Sequence, residues 1–163
     1  MVTGFSNPDY NSKETGKFDR TTFHAWAKRV NSVTIDSFRA NQGRSADLGD
    51  GRLQPLLFTH TGRKSGKRIT TPIVHLKDGD RFVIMASMGG SPEHPQWYHN
   101  IVANPVVMLE VGSELFAARA CVAEGAERER LFAAMVEANG AFAELAAGTT
   151  RVFPIVVFER ITG

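Results

Sequence analysis

At 163 residues, with 42% apolar and 22% charged residues, the chain has the size and make-up of one soluble domain with a substantial core. Its 19 Lys+Arg against 17 Asp+Glu give a formal charge of only +2, which argues against a wholly basic, nucleic-acid-coating surface. The single cysteine, Cys121, excludes an intrachain disulfide framework and fits a reducing cytoplasm, and no stretch approaches the ~20 apolar residues of a membrane span.

Residues 1–17 are polar and Gly/Pro-punctuated, without the apolar centre of a signal peptide, and read as a loose arm. Over residues 19–40, Phe23, Trp26, Val30, Val33 and Phe38 recur at helical spacing. The pattern predicts an amphipathic helix, interrupted near Asn31-Ser32 and stopped at Gly43. Lys28 and Arg29 on its polar face are compatible with peripheral contact at the inner face of a membrane, and packing on the protein's own core is the preferred reading. Residues 1–50 therefore form an arm and helix, and residues 51–163 the main domain.

Strands are expected at residues 53–60, 69–77, 81–87, 106–111, 115–123 and 152–159. Asp78-Gly79 and Gly112-Ser113 mark tight hairpins. Met88-Gly89-Gly90-Ser91-Pro92 reads as a flexible loop. Pro95 opens a short helix that carries Trp97, Ile101 and Val102 and ends near Asn104-Pro105. Residues 126–138 form a second amphipathic helix, with Leu131, Phe132, Met135 and Val136 inward, and a Gly/Ala-rich connection follows. About six strands joined mainly by hairpins, without regular βαβ alternation, predict an antiparallel barrel with peripheral helices.

Two stretches concentrate chemistry. Thr61-Gly62-Arg63-Lys64-Ser65-Gly66-Lys67-Arg68 holds four cations and two glycines and no acid, between two strand-like runs. Without those four cations the chain is slightly acidic, so its positive charge is local, as an anion site requires. The spacing fails as a nucleotide P-loop: three residues rather than four separate Gly62 from Gly66, and Arg68 stands where a magnesium-binding hydroxyl belongs. No stacking motif accompanies the loop, which argues against nucleic acid. The competing reading is a solvated hairpin tip. In the second stretch, His94 and His99 are five apart and have no Cys or acidic partner at metal spacing, so no metal site is expected. Trp97 and Tyr98 read as packing on the sheet, with Trp97 an alternative wall for a planar ligand. Cys121 lies mid-strand, and no nucleophile signature is visible, which leaves any chemistry to a cofactor.

The stretch Leu56-Leu57-Phe58-Thr59-His60-Thr61-Gly62-Arg63-Lys64-Ser65-Gly66 resembles the opening signature of the actinobacterial deazaflavin-dependent nitroreductase family. The likeness continues through Thr70-Thr71-Pro72-Ile73, Ala86-Ser87-Met88-Gly89-Gly90, His94-Pro95-Gln96-Trp97-Tyr98-His99-Asn100 and Arg151-Val152-Phe153-Pro154-Ile155, and spans about residues 31–160. It implies a split antiparallel β-barrel of the flavin-reductase/PNPOx type. It also implies the reduced 8-hydroxy-5-deazaflavin coenzyme F-420, whose phosphate and oligoglutamate tail are anionic. The resemblance assigns Arg63, Lys64, Ser65, Gly66 and Arg68 to that tail and phosphate. It assigns Thr71, Pro72, Met85, Ala86, Ser87, Gly89 and Gly90 to the frame around the ring, and Trp97 and Asn100 to the site edge. The implied activity is hydride transfer to a small-molecule electrophile: a quinone, an activated alkene or a nitro-aromatic. Nitro-reducing members carry tyrosines before the last strand, where this chain has residues 140–146 with Phe142 and Leu145 as the pocket candidates and no hydroxyl, so weak nitro reduction is expected with quinone or enone reduction kept. Non-catalytic storage of the coenzyme and ordinary FMN binding are the alternatives.

Overall fold

The computed structural model describes residues 18–44 and 52–162. The expected N-terminal arm lies outside the described residues, as does most of the loop after Gly43.

Helix α1 spans Arg20–Ala40, 21 residues without interruption. The break expected at Asn31-Ser32 does not form: both side chains lie on an exposed or half-exposed helix surface, and Thr34 Oγ1 donates to the Val30 carbonyl at 2.7 Å within a continuous helix. Asp19 caps the start by accepting from the Thr22 amide at 3.0 Å. At the other end Gln42 takes φ 54°, and the Gly43 amide reaches back to the Phe38 carbonyl at 2.8 Å, a Schellman closure. Of the helix's apolar residues Phe38 is buried, while Val33 stays 38% exposed.

Six strands follow: β1 (Leu53–Thr61), β2 (Arg68–Asp78), β3 (Arg81–Met85), β4 (Val106–Val111), β5 (Glu114–Val122) and β6 (Ile155–Arg160). They close into an antiparallel barrel in the order β1-β2-β3-β6-β5-β4, with β1 returning to β4. The β2–β3 hairpin turns on Gly79-Asp80, one residue later than expected. Asp78 pairs with Arg81, and Gly79, at φ 62°, takes the left-handed position that L side chains resist. Strand β3 stops at Met85, two residues short of expectation, and β6 starts at Ile155 rather than at 152.

Alternation along the strands sorts two cores. Leu56, Phe58, Phe82, Ile84, Leu109, Val156 and Phe158 fill the barrel, and their neighbours Leu53, Val83, Met85, Ile155 and Val157 face outward. The outward set is covered by helix α3 (Gly125–Ala138) through Leu131 and Met135. It is also covered by α4 (Ala141–Ala147), a helix unforeseen in the Gly/Ala-rich connection. Each large side chain removed from water this way contributes about 1.5–3 kcal/mol. Helix α2 (Gln96–Ala103) closes the barrel mouth with Trp97 and Ile101; Pro95 is its N-cap, and Val102 points away, 58% exposed. No helix among the described residues is long and apolar enough to cross a membrane.

Candidate functional site

The β1–β2 hairpin is paired along its whole length, from Leu53 with Leu76 to Thr61 with Arg68, so its tip is rigidly presented. Inside the tip, the Gly62 amide donates to the Lys67 carbonyl and the Gly66 amide to the Gly62 carbonyl, both at 2.8 Å. The Lys67 amide donates to Ser65 Oγ at 3.2 Å. A Cβ on Gly62 would lie 2.4 Å from that oxygen, so a side chain there would have to push the Ser65 hydroxyl off the Lys67 amide.

The charges on the tip are uncommitted. Elsewhere Arg20, Arg39, Arg52, Arg81, Arg128, Arg130 and Arg160 each pair with a carboxylate. Arg63, Lys64, Lys67 and Arg68 are exposed and pair with no carboxylate among the described residues. Four cations held together without counter-charge on a hydrogen-bonded loop repel one another, and a multivalent anion relieves that repulsion.

Beside the tip the barrel wall is split. Strand β3 pairs with β2 only between Leu76 and Asp78, while its other edge pairs with β6 from Phe82 to Met85. The half of β2 from Arg68 to His75, which carries Thr71 and Pro72, therefore has a free edge on its β3 side. Across from β3's end, Met85 and Ala86 are 3% and 0% exposed and present no side-chain surface; Ser87, Gly89 and Gly90 are half-buried. Met88, Gly89 and Gly90 take φ of 45°, 63° and 78° in a tight 3-10 turn.

This turn is pinned rather than flexible, by a residue that carried no assigned site role in the sequence. The half-buried Arg151 guanidinium donates to the carbonyls of Ala86 (2.9 Å), Ser87 (2.6 Å) and Ser91 (2.8 Å) and to His94 Nδ1 (2.8 Å). It also stacks 4.7 Å above the Phe153 ring. Burial and the adjacent guanidinium hold His94 below its ordinary pKa, which keeps its ring free to accept. Three carbonyls of one turn meet a side chain that lies 60 or more positions along the chain, which leaves no periodic signal, so the role of Arg151 is visible only in the folded chain.

Helix α4 leans on the same turn. Leu145 packs on Gly90, where a Cβ would meet the Leu145 carbonyl at 3.4 Å. Phe142 and Leu145 are half-buried against the outer cluster that includes Val74 of β2. Trp97 lies edge-on to Phe58, centroids 5.2 Å apart, as part of the barrel's lid. Asn100 is buried and accepts from the Arg63 amide through Oδ1 at 3.0 Å, which ties α2 to the basic tip. Exposed Cys121 stands on β5, and no metal-binding group of His, Cys, Asp or Glu occurs among the described residues. A pocket of about 380 Å³ opens at the far end of the β1–β2 hairpin, lined by Gln54, His75, Lys77, Phe82, Glu114 and Arg160, and includes none of the residues that the sequence motifs assign to the coenzyme.

A family model for F420H(2)-dependent quinone reductases matches residues 28–160, a span that takes in the basic tip, the split and α4. The chain belongs to the F420H(2)-dependent quinone reductase family. An F420H(2)-dependent quinone reductase of Mycobacterium tuberculosis, Rv1261c, is 34% identical over 126 residues, 76% of this chain and 85% of that one. Among solved structures, this family member is similar to an F420-H2 dependent reductase, FDR-A, with 35% identity and a TM-score of 0.61 over 71% of this chain and all of that one. A chain from a domain-swapped dimer matches at 34% identity with a TM-score of 0.62, over 78% of this chain and 97% of that one. These likenesses agree with the split barrel and with the coenzyme class inferred from the sequence motifs.

Proposed function

We propose that this protein is a deazaflavin-dependent reductase that delivers two electrons to a quinone or a similarly polarised small electrophile. The observation that carries the reading is the set of four unpaired cations on the rigid β1–β2 tip, next to a gap in the barrel wall. Those cations fit the phosphate and oligoglutamate tail of the coenzyme: Arg63 and Arg68 offer forked donors, and Lys64 and Lys67 mobile point charges. The free edge of β2 at Thr71 and Pro72 and the pinned Ser87–Gly90 turn offer backbone donors and acceptors to a ring edge. Phe142 and Leu145, on the outer cluster, shape an apolar wall for the electrophile, while Trp97 packs on the barrel interior and braces the mouth beside the tip. When bound, the reduced deazaflavin supplies the hydride, and a proton from solvent completes the hydroquinone. The chain's own residues bind, orient and exclude water, which accounts for much of the barrier reduction.

Phe142 has no hydroxyl to bond a nitro group, so nitro-aromatic turnover is expected to fall well below quinone turnover. Parallel fluorescence titration with deazaflavin and FMN, followed by single-turnover oxidation of the reduced complex by a quinone, tests the reading. Tight FMN binding with none to the deazaflavin overturns the cofactor, and binding without quinone reduction points to storage. The single thiol suits a cytoplasmic setting, and exposed Lys28, Arg29 and Val33 on α1 suit peripheral membrane contact. Co-sedimentation with anionic vesicles tests that contact, and protein left in the supernatant refutes it.

A further inference from the structure

The buried polar residues between the basic tip and β2 form one continuous chain whose direction is fixed by chemistry. An amide N–H can only donate, so the Arg63 amide requires Asn100 Oδ1 as its acceptor at 3.0 Å. That choice turns the Asn100 amide group towards His60 Nδ1, 3.2 Å away, and makes Nδ1 the acceptor. A neutral ring that accepts at Nδ1 carries its proton on Nε2, so His60 donates to Thr71 Oγ1 at 2.9 Å. His60 and Asn100 are 2% and 6% exposed. Burial holds His60 neutral, with a pKa of about 4. Thr71 accepts from His60, so its own hydroxyl proton must point elsewhere. Thr71 is half-buried and lies on the half of β2 that β3 leaves open.

We infer that Asn100 and His60 are positioning residues that set two parts of the ligand site at once: they anchor the backbone of the anion-binding tip at Arg63, and they orient Thr71 so that its hydroxyl serves as a hydrogen-bond donor to the bound ligand. This rests on the deazaflavin reading above for the ligand, while the hydrogen-bond chain itself belongs to the ligand-free protein. The arrangement couples a charge-recognition element to a ring-recognition element through buried bonds, so a change at Asn100 reaches both.

The test has two arms. In the first, the nitrogen shifts of His60 are read by NMR in the ligand-free protein, wild type and Asn100→Asp. The wild type is expected to show the Nε2–H tautomer, with His60 still neutral near pH 5. A carboxylate at residue 100 still accepts from Arg63 but cannot donate, so Asn100→Asp is expected to move a proton onto Nδ1. An Nδ1–H tautomer in the wild type, or no change in Asn100→Asp, overturns the chain. In the second arm, Thr71→Ser and Thr71→Val are titrated with deazaflavin and, in parallel, FMN. Thr71→Ser is expected to bind within twofold of wild type, and Thr71→Val about fivefold more weakly, the worth of one net hydrogen bond. Equal binding by Thr71→Val, with its melting temperature unchanged, overturns the donor role. A wild type that binds neither coenzyme overturns the proposed function and with it the ligand role of Thr71, while the first arm still decides the chain.

Discussion

Removing the Arg151 guanidinium should unfasten the turn on one side of the split. In Arg151→Met the side chain keeps most of its apolar length and loses four hydrogen bonds of 2.6–2.9 Å. Hydrogen bonds to a charged group contribute about 1.5–3 kcal/mol each, but the half-buried guanidinium carries a desolvation cost that offsets part of their sum. The carbonyls of Ala86, Ser87 and Ser91 would lose their shared donor, and the partly buried ones would regain water incompletely. A net loss of about 3–4 kcal/mol follows, typical of removing one partner from a buried network. For a domain of this size that lowers the melting temperature by roughly 10 °C. Thermal unfolding followed by circular dichroism at pH 7.5 measures it. Arg151→Lys should recover only a small part, because one ammonium cannot span acceptors that a planar fork reaches together. A melting temperature for Arg151→Met within about 2 °C of wild type would refute the reasoning.

Other changes separate binding from stability. Arg63→Glu with Arg68→Glu should weaken deazaflavin binding by at least about tenfold and flatten its salt dependence, since these exposed cations are the attractive charge; the melting temperature should hold, because they stabilise nothing within the fold. Gly90→Ala should cost about 1–2 kcal/mol, because φ is 78° and the new Cβ would crowd the Leu145 carbonyl; urea unfolding measures this, and an unchanged midpoint contradicts it. Stability should fall as pH drops from 6.5 towards 4. His60 and His75 are held to about 4 by burial, so across that window the unfolded chain binds protons that the folded one refuses. Each contributes up to about 3 kcal/mol over that interval, and denaturant melts at stepped pH in wild type and His75→Gln should show the slope shrink by about one proton.

Much of this protein is written locally. Period-two alternation along Leu56, Phe58, Phe82 and Ile84 sets which face of each strand enters the barrel, and the hairpin glycines set the antiparallel order. The four cations between Gly62 and Arg68 announce an anion site because no acid interrupts them. The turn at Gly79-Asp80 shows the limit: DG and GD offer the same residues, and the pairing of Asp78 with Arg81 chooses between them. Helix α4 was hidden because 7 residues are too short for a periodic pattern, and it forms where Phe142 and Leu145 meet the outer core. The split itself has no sequence signature, since it arises from β3, 5 residues long, meeting only one end of the 11-residue β2. Arg151 and the Arg63–Asn100–His60–Thr71 chain likewise join residues tens of positions apart. Sequence determined the strands, their faces and the charge of the tip, because these depend on neighbours along the chain. Only the tertiary structure decided where the wall opens, what pins the turn beside it, and which way its buried hydrogen bonds run, because those depend on partners that folding brings together.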